Sequence, residues 1–210
     1  MGLTPTVEGL RTQISGKYSP DNPGLFTLRH RLASLGIQVR FPAGNEIIEY
    51  SHDFAITTAE EGQTPFPRTE EQFLQSVEES DLHVVYDIWG DEDGYVGQST
   101  IIETLRALYC DVPTVWMRPP GRLSPAISPD LRIFAERAKS IAWVERLDRL
   151  PDHELLESVG RLAARTSSAL SWEGGVLAND YEQDVYRSLC FDLLGQYSRS
   201  WEAHIKSGAQ

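Results

Sequence analysis

The sequence predicts an α/β protein in which a doubly wound parallel sheet of about five strands carries helices on both faces. Short apolar runs alternate with longer amphipathic segments over the first two-thirds of the 210 residues. The first two short runs end at Gly16 and Pro42, as strands often do, and the segment between them has helical periodicity. Strands separated by helices pair in parallel, which defines the fold class.

Each element follows from its own pattern. In residues 22–36, Leu25, Leu28, Leu32 and Leu35 recur at three- and four-residue spacing, and Gly36 ends the helix. Residues 69–81 begin with acidic side chains, which a helix N-terminus favours. A third helix is predicted over 99–110. The predicted strands are 10–16, 37–42, 82–89, 112–117 and 139–147.

Two organisational units are expected. Residues 1–150 form the α/β domain, and residues 151–210 form a helical extension that packs on it or serves oligomerisation. Within the extension, "SWEGGVLAND" (171–180) separates two helices. Residues 43–67 are long for a connection, which is typical of a lid or an ordered excursion.

Composition narrows the classes of partner. The formal charge of -12, without any cluster of Lys and Arg, disfavours polymeric nucleic acid. No apolar run has the length of a transmembrane helix, and the first 20 residues lack a signal-peptide pattern, so no membrane association is expected. Cys110 and Cys190 fit ordinary thiols in a reducing compartment. We therefore expect a cytoplasmic protein.

Ligands of open parallel sheets bind outside the carboxyl ends of the strands, where the strand order reverses. Three segments are expected there: "SGKY" (15–18), "PAGNE" (42–46) and "DIWGDEDGYVGQST" (87–100). Gly16 lets the backbone approach a ligand and Lys17 adds a cation, although an ordinary strand-to-helix turn has the same letters. Asp87 ends a strand and is expected to point at the site.

"GQST" opens a helix, where free N–H groups and the helix dipole attract anions. Ser99 and Thr100 add hydroxyl donors. The segment is not a P-loop, and no GxGxxG occurs, so neither ATP hydrolysis nor a dinucleotide cofactor is indicated. The acidic turn does not fit the calcium-loop template, and the five histidines lack metal-ligand spacing. No cofactor and no metal are expected.

Glu103 has two interpretations on the pattern alone. Thr100 and Glu103 fit a capping box, in which the Glu side chain bonds to the backbone at the helix start. On a helical wheel Glu103 lies opposite the stripe of Ile101, Leu105 and Leu108, so periodicity does not direct it towards a cleft. The other interpretation is a reactive carboxylate at the site.

Three stretches resemble the nucleoside 2-deoxyribosyltransferase-like superfamily, which includes transferases and nucleoside or nucleotide N-glycosidases. They are "SGKYSPDNPGLFTLRHRLASLGIQVRFP", "SVEESDLHVVY" and "GYVGQSTIIETLRALYCDVPTVW". The resemblance covers about residues 10–118. Its most specific part is the Gly-rich turn, the small hydroxyl residues and the Glu on the following helix.

The resemblance implies a flavodoxin-like sheet, assembly as a homodimer or higher oligomer, and Glu103 as a nucleophile towards the anomeric carbon of a ribose or deoxyribose. A nucleoside or nucleoside 5'-monophosphate would be the small-molecule partner. The expected catalytic residues are Glu103 and Asp87. The expected substrate-binding residues are Ser15, Gly16, Lys17, Tyr18, Trp89, Tyr95, Gly97, Ser99 and Thr100.

Hydrolysis is favoured slightly over deoxyribosyl transfer, because Gly97 stands where transferases often carry an Asp, and because Lys17 with Ser99 would suit a phosphate. Two alternatives stay open. One is a nucleotide-binding sensor or interaction module of the same fold without catalysis. The other is a generic interaction domain in which Glu103 is a helix cap.

Overall fold

The structure, a computed structural model, describes residues 7–17, 22–40, 47–48, 57–58, 66–89, 92–93, 95–119, 122–123 and 143–165. Its helices are α1 (Pro23–Ser34), α2 (Phe66–Glu78), α3 (Gln98–Tyr109) and α4 (Asp152–Ala163), with a 3₁₀ turn at Leu147–Arg149. Its strands, in chain order, are β1 (Arg11–Gly16), β2 (Gln38–Val39), β3 (Ile47–Ile48), β4 (Thr57–Thr58), β5 (Leu82–Tyr86), β6 (Ile88–Trp89), β7 (Glu92–Asp93), β8 (Tyr95–Val96), β9 (Thr114–Trp116), β10 (Arg122–Leu123) and β11 (Trp143–Val144).

Five strands form one parallel sheet in the order β2-β1-β5-β9-β11. The chain passes from β1 to its neighbour β2 on one side, and from β5 through β9 to β11 on the other. The direction of winding therefore reverses between β1 and β5, where Ser15 pairs with Val85. This is the position at which open α/β sheets bind ligands.

Helices cover both faces of this sheet, as the alternation of side chains in β1 demonstrates. Ile14 packs with Leu25 and Leu28 of α1 in the main apolar core. The adjacent residue, Gln13, points to the opposite face, where its Oε1 accepts a hydrogen bond from Ser76 Oγ of α2 at 2.8 Å. The prediction of an α/β protein with a parallel sheet is confirmed.

The remaining two helices divide between these faces. α3 lies beside α2, since Val77 and Ala107 share a small apolar cluster and Arg106 bonds to Glu78. α4 lies beside α1 and is tied to it by Arg31, whose Nη2 donates to Asp152 Oδ1 at 2.8 Å. A sheet covered on both sides excludes water from its strands, so β5 is buried at every position.

Several predicted boundaries are wrong. α2 begins at Phe66 rather than 69, so its first turn holds no acidic residue. The predicted strand 82–89 divides after Tyr86, and Ile88–Trp89 instead pairs antiparallel with Glu92–Asp93. The predicted second helix of the extension and the break at 171–180 lie outside the described residues. No described helix has the length and apolarity that a membrane span requires.

Gly24 lets α1 approach β5. An added Cβ would overlap the Tyr86 hydroxyl oxygen and lie 3.0 Å from its Cζ atom, and Tyr86 is only 5% exposed. We therefore expect Gly24→Ala to lower the free energy of unfolding by about 1–3 kcal/mol, despite the gain of about 1 kcal/mol in helix propensity. Denaturant unfolding measures the change.

The double variant Gly24→Ala/Tyr86→Phe provides the control, because it removes the hydroxyl that collides. We expect it to recover part of the loss, which identifies the contact as the cause. Gly97→Ala is a second control, since nothing lies within 4 Å of a Cβ at that position and its φ is -84°. Equal losses at Gly24 and Gly97 would contradict the steric explanation.

Candidate active site

The carboxyl edge of the sheet brings together the ends of three neighbouring strands. β1 ends at Gly16, β5 ends at Tyr86 and is followed by Asp87, and β9 is followed by Met117 and Arg118. α1 and α3 both begin at this edge, and neither helix start has a side-chain cap. Uncapped helix starts of this kind favour an anionic ligand, because the backbone N–H groups of the first turn point out of the helix end.

Asp87 is the most perturbed acidic group described at this edge. It is 2% exposed, and its Oδ1 accepts a hydrogen bond from the Arg118 backbone N–H at 3.0 Å. Its Oδ2 is buried and has no hydrogen-bond partner in the described structure. Burial raises the pKa of Asp87 to about 7, against the opposing effect of backbone N–H groups and the Arg118 charge. Near neutral pH this carboxyl can carry a proton or release one.

Glu103 does not form the capping box. α3 begins at Gln98 with Gly97 as its N-cap, so Thr100 is the third helical residue and Glu103 is in the second turn. The Thr100 carbonyl accepts a hydrogen bond from Thr104 Oγ1 at 2.7 Å, a contact between successive turns inside the helix. The predicted capping box with Thr100 as its N-cap is therefore wrong, because the N-cap of α3 is Gly97, three residues earlier.

The burial of side chains along α3 also differs from what its helical wheel predicts. Glu103 is 5% exposed although it lies opposite the apolar stripe, and Leu108 of that stripe is only half-buried. The reason is that α3 packs against α2 as well as against the sheet, so most of its surface is covered. A carboxylate buried on this helix requires an explanation beyond a solvated face.

The start of α3 is more open than its second turn. Gly97 is half-exposed, with extended backbone (φ -84°, ψ 171°) and open space where a Cβ would be. Ser99 is half-buried in the first turn, and Thr100 is 7% exposed. Ser99 is therefore the more accessible of the two hydroxyl groups at this helix start, where contact with an anion stays a prediction.

In the "SGKY" segment, Gly16 has a structural requirement of its own. A Cβ there would lie 2.5 Å from the Tyr86 carbonyl oxygen, because β1 and β5 approach closely at their ends. The Lys17 carbonyl accepts a hydrogen bond from Asn22 Nδ2 at 3.0 Å, which fixes the turn into α1. Lys17, the residue directly after β1, is half-buried. Tyr18 lies outside the described residues, and only the strand positions of Trp89 and Tyr95 are described.

Ser15 faces inward rather than towards a ligand. It is fully buried, and its Oγ lies 2.6 Å from His83 Nε2. His83 Nδ1 lies 3.4 Å from Thr114 Oγ1, which itself donates to the Val112 carbonyl. We therefore assign the proton of His83 to Nδ1, so that Nε2 accepts from Ser15. The chain of three polar side chains fastens β1, β5 and β9 together beneath the site.

His83 makes the fold sensitive to acid. Burial lowers its pKa from 6.5 to about 3, so the unfolded chain binds this proton more readily than the folded protein. Its contribution to stability is present above pH 6.5 and is lost as the pH falls towards 3, by up to about 1.4 kcal/mol per pH unit. We expect His83→Gln to flatten the fall in stability between pH 6 and 4, measured by denaturant unfolding.

The matched control is His153→Gln, since the His153 side chain is 80% exposed. This change is expected to leave the pH dependence as it is in the parent protein. An identical acid response of the parent protein and His83→Gln would contradict the assignment of the acid sensitivity to His83.

Three groups at this edge escape sequence reasoning. Burial and the nearby Asp148 carboxylate raise the pKa of Tyr86, whereas Arg146 and Arg118 oppose that effect. Arg146 donates two hydrogen bonds to Asp148, at 2.8 and 2.7 Å. These two arginines and the tyrosine belong to no motif. They are recognised only because each lies at or just after the end of a strand of the sheet, and the strand order brings those ends together.

The fold and this edge define an α/β protein with a parallel sheet and a buried acidic site at the reversal of its strand order. Comparison with protein-family models, curated proteins and solved structures found no match. Within the part of the chain that the structure describes, no group of three or more His, Cys, Asp or Glu side chains is placed to hold a metal ion.

Proposed function

We propose that the protein cleaves the N-glycosidic bond of nucleosides or nucleoside 5'-monophosphates, with hydrolysis favoured over deoxyribosyl transfer. The observation that carries the proposal is Asp87, a buried carboxyl with one unpaired oxygen and a pKa of about 7 at the reversal of the sheet. Acid-base catalysts in enzymes have such pKa values, and groups with strongly shifted pKa values cluster at functional sites.

A second carboxyl group supports the same chemistry. Glu103 is buried on α3, and α3 packs on one face of the sheet. Side chains alternate along a strand, so Asp87, four residues after His83, is directed to that same face. Two carboxyl groups with different roles, one nucleophilic and one acidic, are what a retaining glycosidase requires. Their burial also excludes water, which strengthens the electrostatic interactions at the reacting bond.

The proposed reaction has two steps. The Glu103 carboxylate attacks the anomeric carbon of the sugar, and the base departs with a proton that protonated Asp87 donates. Asp87, now ionised, then takes a proton from water, whose oxygen attacks the same carbon and releases the sugar from Glu103. Each step passes through an oxocarbenium-like transition state that the Glu103 carboxylate stabilises.

Two further features support a nucleotide as the ligand. The strand order β2-β1-β5-β9-β11 supports a flavodoxin-like topology, and proteins of that topology bind a phosphorylated ligand where the strand order reverses. The uncapped starts of α1 and α3, together with Lys17 and Ser99, suit a 5'-phosphate. We propose that assembly as a homodimer or higher oligomer accompanies this function.

Base release tests the proposal. Purified protein is incubated with a panel of nucleosides and their 5'-monophosphates, with and without a second free base, and the products are separated by chromatography. Release without a second base identifies hydrolysis, whereas exchange that requires the second base identifies transfer. Neither product across the panel would refute the proposal.

A second candidate is a nucleotide-binding module without catalysis. The 5% exposure of Glu103 favours it, because a nucleophile must reach the anomeric carbon of its substrate. Thermal stabilisation by ligands without any base release would select this candidate, since binding stabilises the folded state by mass action even without turnover.

A further inference from the structure

Trp116 contains a second unpaired polar atom at the carboxyl edge. The residue is fully buried in β9, and its indole Nε1 has no hydrogen-bond partner in the described structure. Buried donors are nearly always paired, and an indole N–H can only donate. A ligand that brings an acceptor to this position would satisfy it.

The side chains of Trp116 and Asp87 belong to the same face of two neighbouring parts of the sheet, since Trp116 pairs with Val85, two residues before Asp87. Trp116 is on the face of β9 that carries Thr114, whose hydroxyl contacts His83, and Asp87 follows His83 by four residues on the same face. The Asp87 carboxylate bonds to the backbone of Arg118, two residues beyond Trp116. The two side chains therefore occupy neighbouring positions on adjacent strands, beneath α3.

We propose that the Trp116 indole N–H is a base-recognition donor of this site, and that with Asp87 it selects nucleobases presenting two neighbouring acceptors. This inference rests on the proposed function, because it takes Asp87 to be the group that donates a proton to the base. A 6-oxopurine has such a pair, N7 and O6, whereas adenine has N7 beside an amino donor. Asp87 would protonate N7, and Trp116 would donate to O6.

The selectivity follows from the chemistry of donors. With a 6-aminopurine, the Trp116 N–H would meet another N–H group and stay unpaired in a site without water. Sites built around a hydrogen bond reject ligands that lack the partner, because the buried group is then left unsatisfied. Both groups are closed to solvent, so a ligand reaches them only after a local opening of this edge of the sheet. We therefore expect a lower association rate constant than for a preformed pocket.

The matched ligands for the test are inosine and adenosine 5'-monophosphate, which differ in the group at position 6. We expect the hypoxanthine nucleotide to bind at least about tenfold more tightly. In protein labelled with ¹⁵N at tryptophan, it should also shift the Trp116 indole N–H resonance, identified as the signal missing from Trp116→Phe. The other four tryptophans serve as internal controls.

Trp116→Phe keeps one aromatic ring and removes the N–H donor together with the second ring of the indole. We expect the preference for the hypoxanthine nucleotide to fall to within about threefold. A preference that survives Trp116→Phe, a preference for adenosine monophosphate, or a Trp116 resonance that neither nucleotide moves would overturn the inference.

Base release is measured separately from binding, so the two proposals can fail independently. Release without selectivity at position 6 refutes the inference about Trp116 and leaves the glycosidase proposal standing. Selective binding that depends on Trp116, without any base release, supports the inference and refutes catalysis.

Discussion

Replacing Glu103 with Gln is expected to reduce base release by about 10³-fold or more, because the amide cannot form the glycosyl-enzyme. Gln preserves the size of the side chain and its place in α3, so nucleotide binding should persist. The measurement compares initial rates of base release with thermal shifts by the same nucleotide. Loss of rate with retained binding identifies Glu103 as the nucleophile.

The control for Glu103→Gln is Glu157→Gln, which makes the same chemical change at an exposed position of α4. It is expected to leave the rate unchanged. Base release that persists at the parental rate in Glu103→Gln would remove this residue from the mechanism, whether or not Asp87 proves to be essential.

Replacing Asp87 with Asn is expected to reduce base release by about 10²–10⁴-fold, the usual contribution of a general acid. The parent protein should lose activity as the pH rises above about 7, where Asp87 gives up its proton. The remaining rate of Asp87→Asn should not show that loss. Rates measured between pH 5 and 9 test both expectations.

Although Asp87→Asn is expected to lower the rate of base release, we expect it to raise the free energy of unfolding. The pKa of Asp87 is raised from 3.8 to about 7 in the folded protein, so the folded state binds this proton more tightly than the unfolded chain. Its contribution is most favourable below pH 3.8 and is lost as the pH rises through 7. Asn avoids the buried charge, so Asp87→Asn should gain about 1–3 kcal/mol at pH 8, less the cost of an unpaired amide.

Denaturant unfolding at pH 5 and pH 8 measures this gain, which should be smaller at the lower pH. The sign is opposite to that of His83, whose contribution is lost on acidification. Variants of Asp87 and His83 therefore distinguish the two contributions to the pH dependence of stability over the same range of pH. If Asp87→Asn has a lower free energy of unfolding than the parent protein at pH 8, ionisation of the buried Asp87 carboxyl does not cost the folded state stability.

Local patterns predicted α1 well and α3 less well. The spacing of Leu25, Leu28 and Leu32 requires one buried helical stripe, and these side chains are indeed core residues. Thr100 and Glu103 have the residue types and the spacing of a capping box, but the same pair also fits the interior of a helix that starts earlier. Only the backbone at Gly97 decides between these alternatives.

The end of β5 shows a similar limit. The apolar run continues through Ile88 and Trp89, yet pairing in the parallel sheet stops at Tyr86, where its partner β1 ends at Gly16. A strand continues in a sheet only while its neighbours offer hydrogen bonds, and the lengths of neighbours distant in sequence are not visible locally.

By itself, the sequence determined that short buried strands alternate with helices, that their carboxyl ends hold Gly16, Asp87 and the start of α3, and that Glu103 follows on that helix. Periodicity and turn chemistry act over a few residues, so local sequence suffices for them. Only the tertiary structure decided that Asp87 and Glu103 are buried, that Asp87 has a pKa near neutrality, and that Trp116 has an unpaired donor. Desolvation and hydrogen-bond pairing depend on which strands become neighbours, and the order of the sheet sets that.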